Sequence, residues 1–117
     1  GAFLSGGLSI EAAFQENVPI TVVIDNNGGL TTISQQQERL FGHDRHVATD
    51  FRDIPFHSMF EGLGGYGELV EDPAEITPAV NRAMASGRTA CVNVRSRGVI
   101  SPIVAAVTSK RDKASIE

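Results

Sequence analysis

Ile20-Thr21-Val22-Val23-Ile24-Asp25-Asn26-Asn27-Gly28-Gly29-Leu30 is the stretch whose reading decides the fold. Its first five residues, Ile20 to Ile24, are apolar or β-branched, as suits a strand buried on both faces of a parallel sheet. The run stops at Asp25-Asn26-Asn27-Gly28-Gly29. Short amides and glycines tolerate positive φ and let another group approach the backbone. A strand therefore empties into a tight polar turn, and open α/β sheets bind ligands at the carboxyl ends of their strands. Asn26 and Asn27 offer neutral oxygens, which a hard cation accepts together with backbone carbonyls. Taken alone, the same residues also read as an ordinary loop.

Working outward, Gly1 to Gly7 is small and flexible, with Phe3 and Leu4 as its only bulk. Ser5 or Ser9 is placed to cap a helix running to about Gln15, with Ile10, Ala13 and Phe14 on one face and Asn17-Val18-Pro19 ending it. On the other side, Thr31 to Phe41 reads as a short, mostly exposed helix. Gly42 to Asp53 has no clear period and reads as a surface loop. Its His43 and His46 lack a cysteine or a convincing third ligand, so they read as solvated histidines rather than a metal site.

Asp53 is expected to cap the next helix, with Pro55 in its first turn and Phe56, Met59, Phe60 and Leu63 on a core-facing stripe. His57 lies off that stripe. Gly62, Gly64 and Gly65 close the helix, and Tyr66 to Val70 forms a strand. Asp72-Pro73-Ala74-Glu75 combines an Asp N-cap, a first-turn proline and a capping-box glutamate. The helix that follows buries Ile76, Val80, Ala83 and Met84 and ends at Gly87. Ala90 to Val94 is the next strand, with Val92 and Val94 facing one way and Cys91 and Asn93 the other. Beyond Arg95 the chain reads as an extended tail, with Ile100, Ile103, Val104 and Val107 able to dock and Lys110 to Lys113 solvated. The expected organisation is an α/β domain over 1–96 and a tail over 97–117, built on a three-layer, doubly wound parallel sheet incomplete at its N-terminus.

The 117 residues make about one domain. A net charge of -4 gives no electrostatic case for nucleic acid or an anionic membrane. The single cysteine, Cys91, excludes an internal disulfide and reads as a buried small hydrophobe. No apolar run reaches the length of a membrane span. The chain has no initiator Met and opens in mid-unit, so a fragment is expected.

Together these blocks resemble the C-terminal, diphosphate-binding domain of thiamine-diphosphate-dependent enzymes such as acetolactate synthase, benzoylformate decarboxylase and oxalyl-CoA decarboxylase. The family signature is Gly-Asp-Gly, then Asn-Asn one helix and one strand later. Gly1-Ala2-Phe3-Leu4 resembles the end of the first element and Asp25-Asn26-Asn27-Gly28-Gly29 the second. The resemblance continues through Gln35-Gln36-Gln37-Glu38-Arg39-Leu40-Phe41, Gly64-Gly65-Tyr66-Gly67-Glu68 and Asp72-Pro73-Ala74-Glu75, and past Pro102.

It implies thiamine diphosphate and Mg2+ as cofactors, with Asn27 through its side chain and Gly29 through its carbonyl as metal ligands. The amides of Gly1, Ala2 and Phe3 would face the phosphates. Leu30 and Thr31 would lie near the reactive end, and the glycines at 28 and 29 would let the turn wrap the ion. The family's third metal ligand, an Asp, would fall just before Gly1. Its catalytic Glu sits in a different domain, so no catalytic residue is assigned, and Glu11 and Glu16 read as helix-surface carboxylates.

Thr32 and Gln36 stand where acetolactate synthases typically show Met and Trp, which leaves other 2-oxo acid or 2-hydroxyacyl thioester chemistries open. The resemblance further implies a pyrimidine-binding domain of the same or a neighbouring subunit as partner, a homodimer or homotetramer, and a cytoplasmic enzyme. The alternative is a non-catalytic α/β module whose glutamine-rich helix and apolar tail are interaction surfaces. A dinucleotide site is discounted, because Gly62 to Gly67 follows a helix rather than a strand.

Overall fold

The computed structural model describes residues 1–99, 102, 105 and 106. Their elements, in chain order, are α1 (Ala2–Gly6), a 3-10 turn (Gly7–Ile10), α2 (Glu11–Gln15), β1 (Thr21–Asn26), α3 (Thr31–Phe41) and α4 (Phe56–Gly62). There follow β2 (Tyr66–Val70), a 3-10 turn (Pro73–Glu75), α5 (Ile76–Ala85) and β3 (Ala90–Arg95). The chain divides into two compact units, one of Gly1–Asn27 with Asp53–Ser96, the other of Gly28–Arg52 with the described residues from Arg97 on.

The first unit is a parallel sheet in the order β1-β3-β2, with Thr21 and Tyr66 both level with Ala90. Side chains alternate across a strand. Ala90 and Val92 therefore join Val70, Ala79 and Ala83 in one core, under α5. Cys91 joins Ile24, Phe56 and Phe60 in a second core on the other face, to which Phe3, Ile10 and Phe14 add. Helices thus cover both faces, as expected for a doubly wound α/β sheet.

The strand buried on both faces is β3, not β1. Ala90 through Asn93 are sealed from solvent, whereas Val23 is 50% exposed and only Ile24 of β1 is buried. A strand's burial depends on its neighbours, and among the described residues β1 pairs only with β3.

Several local expectations changed. The first helix starts at Ala2 without a side-chain cap and breaks at Gly6 and Gly7, so Ser5 and Ser9 lie inside helical turns. Asp53 does not cap α4; it pairs with Arg95, and Pro55 takes the cap position. Asp72 does accept from the Ala74 amide at 2.9 Å. Glu75, however, reaches forward to Arg82 rather than back to the cap. Met84 is 66% exposed, and the small Ala79 and Ala83 make the α5 contact instead. Gly67 is needed for close approach, since a Cβ there would overlap the His57 carbonyl of α4. The tail residues Ile100, Ile103, Val104, Val107 and Lys110 to Lys113 lie outside the described residues.

An ion-pair network closes the α5 face. Arg82 donates to Glu68 at 2.5 and 3.2 Å, and Tyr66 donates to Glu68 at 2.6 Å. The Arg82 hydrogen bond holds the Glu68 carboxyl below its ordinary value of 4.5. A depressed folded-state pKa stabilises the fold above the unfolded value, and that contribution is lost as pH falls through the folded one. The stability difference between wild type and Arg82→Met, followed by thermal melts, is therefore expected to be full near neutrality. It should shrink below pH 4.5. A gap that stays constant to low pH would contradict this.

In the second unit, α3 matches its expected span and buries only Ser34. Two of its three glutamines are half-buried and bonded within this unit. Gln35 donates to the Val99 carbonyl at 2.7 Å, and Gln37 accepts from the Val47 amide at 2.9 Å. Gln36 is exposed, as are Ile33, Leu40 and Phe41 of the same helix.

Candidate functional site

The carboxyl ends of the strands carry the polar chemistry of the first unit. At the end of β1, Asp25 accepts from the Ser96 hydroxyl. Asn26 Nδ2 donates to the Ile54 carbonyl at 3.2 Å. Arg95, at the end of β3, is bracketed by Asp53 and Glu71. Asn27 follows β1, half-buried, and its amide makes no hydrogen bond among the described residues. Of two adjacent asparagines, one serves the fold and the next is available to a ligand.

Gly1, Ala2 and Phe3 form the start of α1. Phe3 is fixed by its ring, which meets Phe56 edge-on at 5.5 Å and lies 6.1 Å from Phe60. The backbone there is therefore anchored through the same core that buries Ile24 of β1. A cavity of about 130 Å3 lined by Asn17, Pro19, Gly64, Gly87 and Thr89 opens at the amino ends of the strands instead. That is the wrong end for an α/β ligand site.

In the second unit, Gly29 pairs antiparallel with Asp50. The bonds are made by the flanking residues, Leu30 N–H to Thr49 carbonyl and Phe51 N–H to Gly28 carbonyl, both at 2.7 Å. Gly29 is thus in a non-hydrogen-bonded pair, and its own carbonyl points away from the partner segment. A Cβ at Gly29 would overlap the Thr49 carbonyl oxygen. This close approach gives Gly29 a reason to be glycine that needs no ion. Gly28 takes the left-handed φ of 80° that the turn requires. Leu30 caps α3 by accepting from Ile33 and Ser34. Thr31 opens the helix with its hydroxyl buried and unpartnered among the described residues.

The donors suit a hard cation. Amide oxygens such as that of Asn27 and backbone carbonyls such as that of Gly29 are neutral donors of the type Mg2+ accepts beside one or two carboxylates and phosphate oxygens. Glu11 and Glu16 are exposed on α2 and its end, and Glu11 accepts from Gln15. Burial pushes the Cys91 thiol up to about 12, which makes it a packing residue.

Two features escaped the sequence reading. His57 is not idle on the far side of α4: its Nδ1 lies 3.2 Å from Asn93 Nδ2, and Asn93 is 1% exposed with its Oδ1 unpartnered among the described residues. His46 is not solvated. Its ring is 20% exposed and held between Glu38 and Asp50, whereas His43 is 87% exposed. The alternation at 91 and 93 pointed to the first of these; nothing local pointed to the second.

Residues 1–94 match the family model for the thiamine pyrophosphate enzyme C-terminal TPP binding domain. The chain is similar to a probable acetolactate synthase of Mycobacterium bovis and to the acetolactate synthase large subunit IlvG of Mycobacterium tuberculosis. Each is 39% identical over 95 residues, 80% of this chain and 17% of the relative. A 2-hydroxyacyl-CoA lyase of Arabidopsis thaliana is 25% identical over 107 residues, 88% of this chain and 18% of the relative. The chain therefore spans about a sixth of the length of the curated relatives it matches. No helix among the described residues is long and apolar enough to cross a membrane. With helices on both faces of a parallel sheet and the family match running from Gly1 through β3, the chain belongs to the thiamine pyrophosphate enzyme C-terminal TPP binding domains.

Proposed function

We propose that residues 1–96 anchor thiamine diphosphate and Mg2+ in an enzyme that makes or breaks a carbon–carbon bond beside a carbonyl. The reading rests most on the Asn26-Asn27 pair. Asn26 is spent on Ile54, while the next amide has no partner among the described residues. Asn27 Oδ1 and the Gly29 carbonyl are assigned to the metal. The Gly1, Ala2 and Phe3 amides are assigned to the phosphates, and Leu30 and Thr31 to the reactive end. Thiamine diphosphate, when bound, supplies the electron sink for the bond change. This chain's residues bind and orient it, and none is assigned a proton transfer.

The relatives' names put acetolactate synthesis and 2-hydroxyacyl-CoA cleavage in the same chemical class. The substrate proposed here is accordingly a 2-oxo acid or an acyl thioester. The assembly proposed is a cytoplasmic homodimer or homotetramer in which a pyrimidine-binding domain of the same or a neighbouring subunit completes the site. The test is turnover by the full-length protein, stripped of cofactor and offered a panel of 2-oxo acids and a 2-hydroxyacyl-CoA. Turnover that requires both thiamine diphosphate and Mg2+ is expected. Turnover indifferent to both would overturn the cofactor assignment, and none with both present would leave the non-catalytic module as the better reading.

A further inference from the structure

We propose that Glu38, Asp44 and His46 form a site for a first-row divalent cation of the zinc type, with Asp50 orienting the histidine. All four residues lie in the second unit, and the proposal does not depend on the cofactor reading. One ligand atom from each of Glu38, Asp44 and His46 falls within 4.8 Å of the others. His46 Nε2 stands 3.4 Å from Glu38 Oε1. Ligand atoms about 2.0–2.2 Å from a tetrahedral zinc are about 3.3–3.6 Å apart, so this pair already has the spacing of two ligands on one ion.

The second observation concerns the other ring nitrogen. His46 Nδ1 lies 3.0 Å from Asp50 Oδ2 and 3.5 Å from the Thr49 hydroxyl. A metal-bound histidine characteristically donates its remaining N–H to a carboxylate, which fixes the tautomer. With that proton on Nδ1, a neutral ring turns the Nε2 lone pair toward the Glu38 carboxylate. Two acceptors then face each other, and only a cation between them or a second proton on the ring resolves the opposition. Asp44 adds a third donor, and water completes a tetrahedron. One imidazole with two carboxylates suits zinc, cobalt or manganese rather than a soft cation.

The probe is Co2+, titrated into the metal-stripped, tag-free full-length protein in excess Mg2+ and followed by its visible absorption. One equivalent bound per chain and displaced by Zn2+ is expected. His46→Gln and Glu38→Gln should abolish the band. Asp50→Asn, which keeps every ligand, should weaken binding by about 10–100-fold. His43→Ala, which removes the ring 2.9 Å from Asp44 Oδ2 but no ligand, should shift the affinity without abolishing the band. Circular dichroism of each variant separates lost binding from lost folding. No cobalt band, or a band unchanged in His46→Gln and Asp50→Asn, would overturn the proposal and leave the Glu38, His46 and Asp50 contacts as structural ones.

Discussion

Phe60→Ala is expected to destabilise the sheet by about 3–5 kcal/mol, the usual cost of emptying a sealed aromatic site. Phe60 is 1% exposed and among the largest fully buried side chains. Its ring lies 5.9 Å from Phe14 and 6.1 Å from Phe3, and it shares a core with Ile24, Phe56 and Cys91. Removing it therefore opens a cavity between β3 and three helices. A typical domain holds only about 5–15 kcal/mol in reserve. A longer chain need not unfold in two states, so hydrogen exchange of the α4 and β3 amides is the proper readout. They should exchange about two to four orders of magnitude faster, at about 1.4 kcal/mol per tenfold. Acceleration below tenfold would show that the site collapses around the gap, or that Phe60 does not hold α4 to the sheet.

The second large effect is functional. Asn27→Ala is expected to remove Mg2+-dependent thiamine diphosphate binding while leaving the melting temperature unchanged, because no hydrogen bond of the described residues is lost. Asn26→Ala should behave in the opposite way. It deletes the bond to the Ile54 carbonyl, costs about 1 kcal/mol and leaves the proposed metal ligand, Asn27, in place. Two neighbouring, chemically identical residues thus separate stability from binding. If both variants lose stability equally and both retain cofactor, the assignment of Asn27 is wrong.

Much of this was legible in the sequence, for reasons that differ by element. The Asp72-Pro73 start, the Gly87 stop and the span of α3 depend on local backbone chemistry, and all three stand where expected. Which strand is central is not a local property. Ile20 to Ile24 is the more apolar run, yet Ala90 to Asn93, with a cysteine and an asparagine, is the strand with neighbours on both sides. The same limit explains Asp53, whose cap was forfeited to an arginine 42 positions on. It also explains His46, whose carboxylates come from α3 and from the far end of its own loop. The candidate cofactor turn was legible as a type of turn. Its division of labour was not, because Ile54 and Thr49 arrive from later in the chain.

The central claim is that this domain anchors the cofactor through a metal. Calorimetric titration of thiamine diphosphate into the metal-stripped full-length protein, with and without Mg2+, tests it most directly. The account predicts a single saturable site per chain that forms only when Mg2+ is present. Binding of equal strength without any divalent cation, or none with Mg2+ in excess, would contradict it.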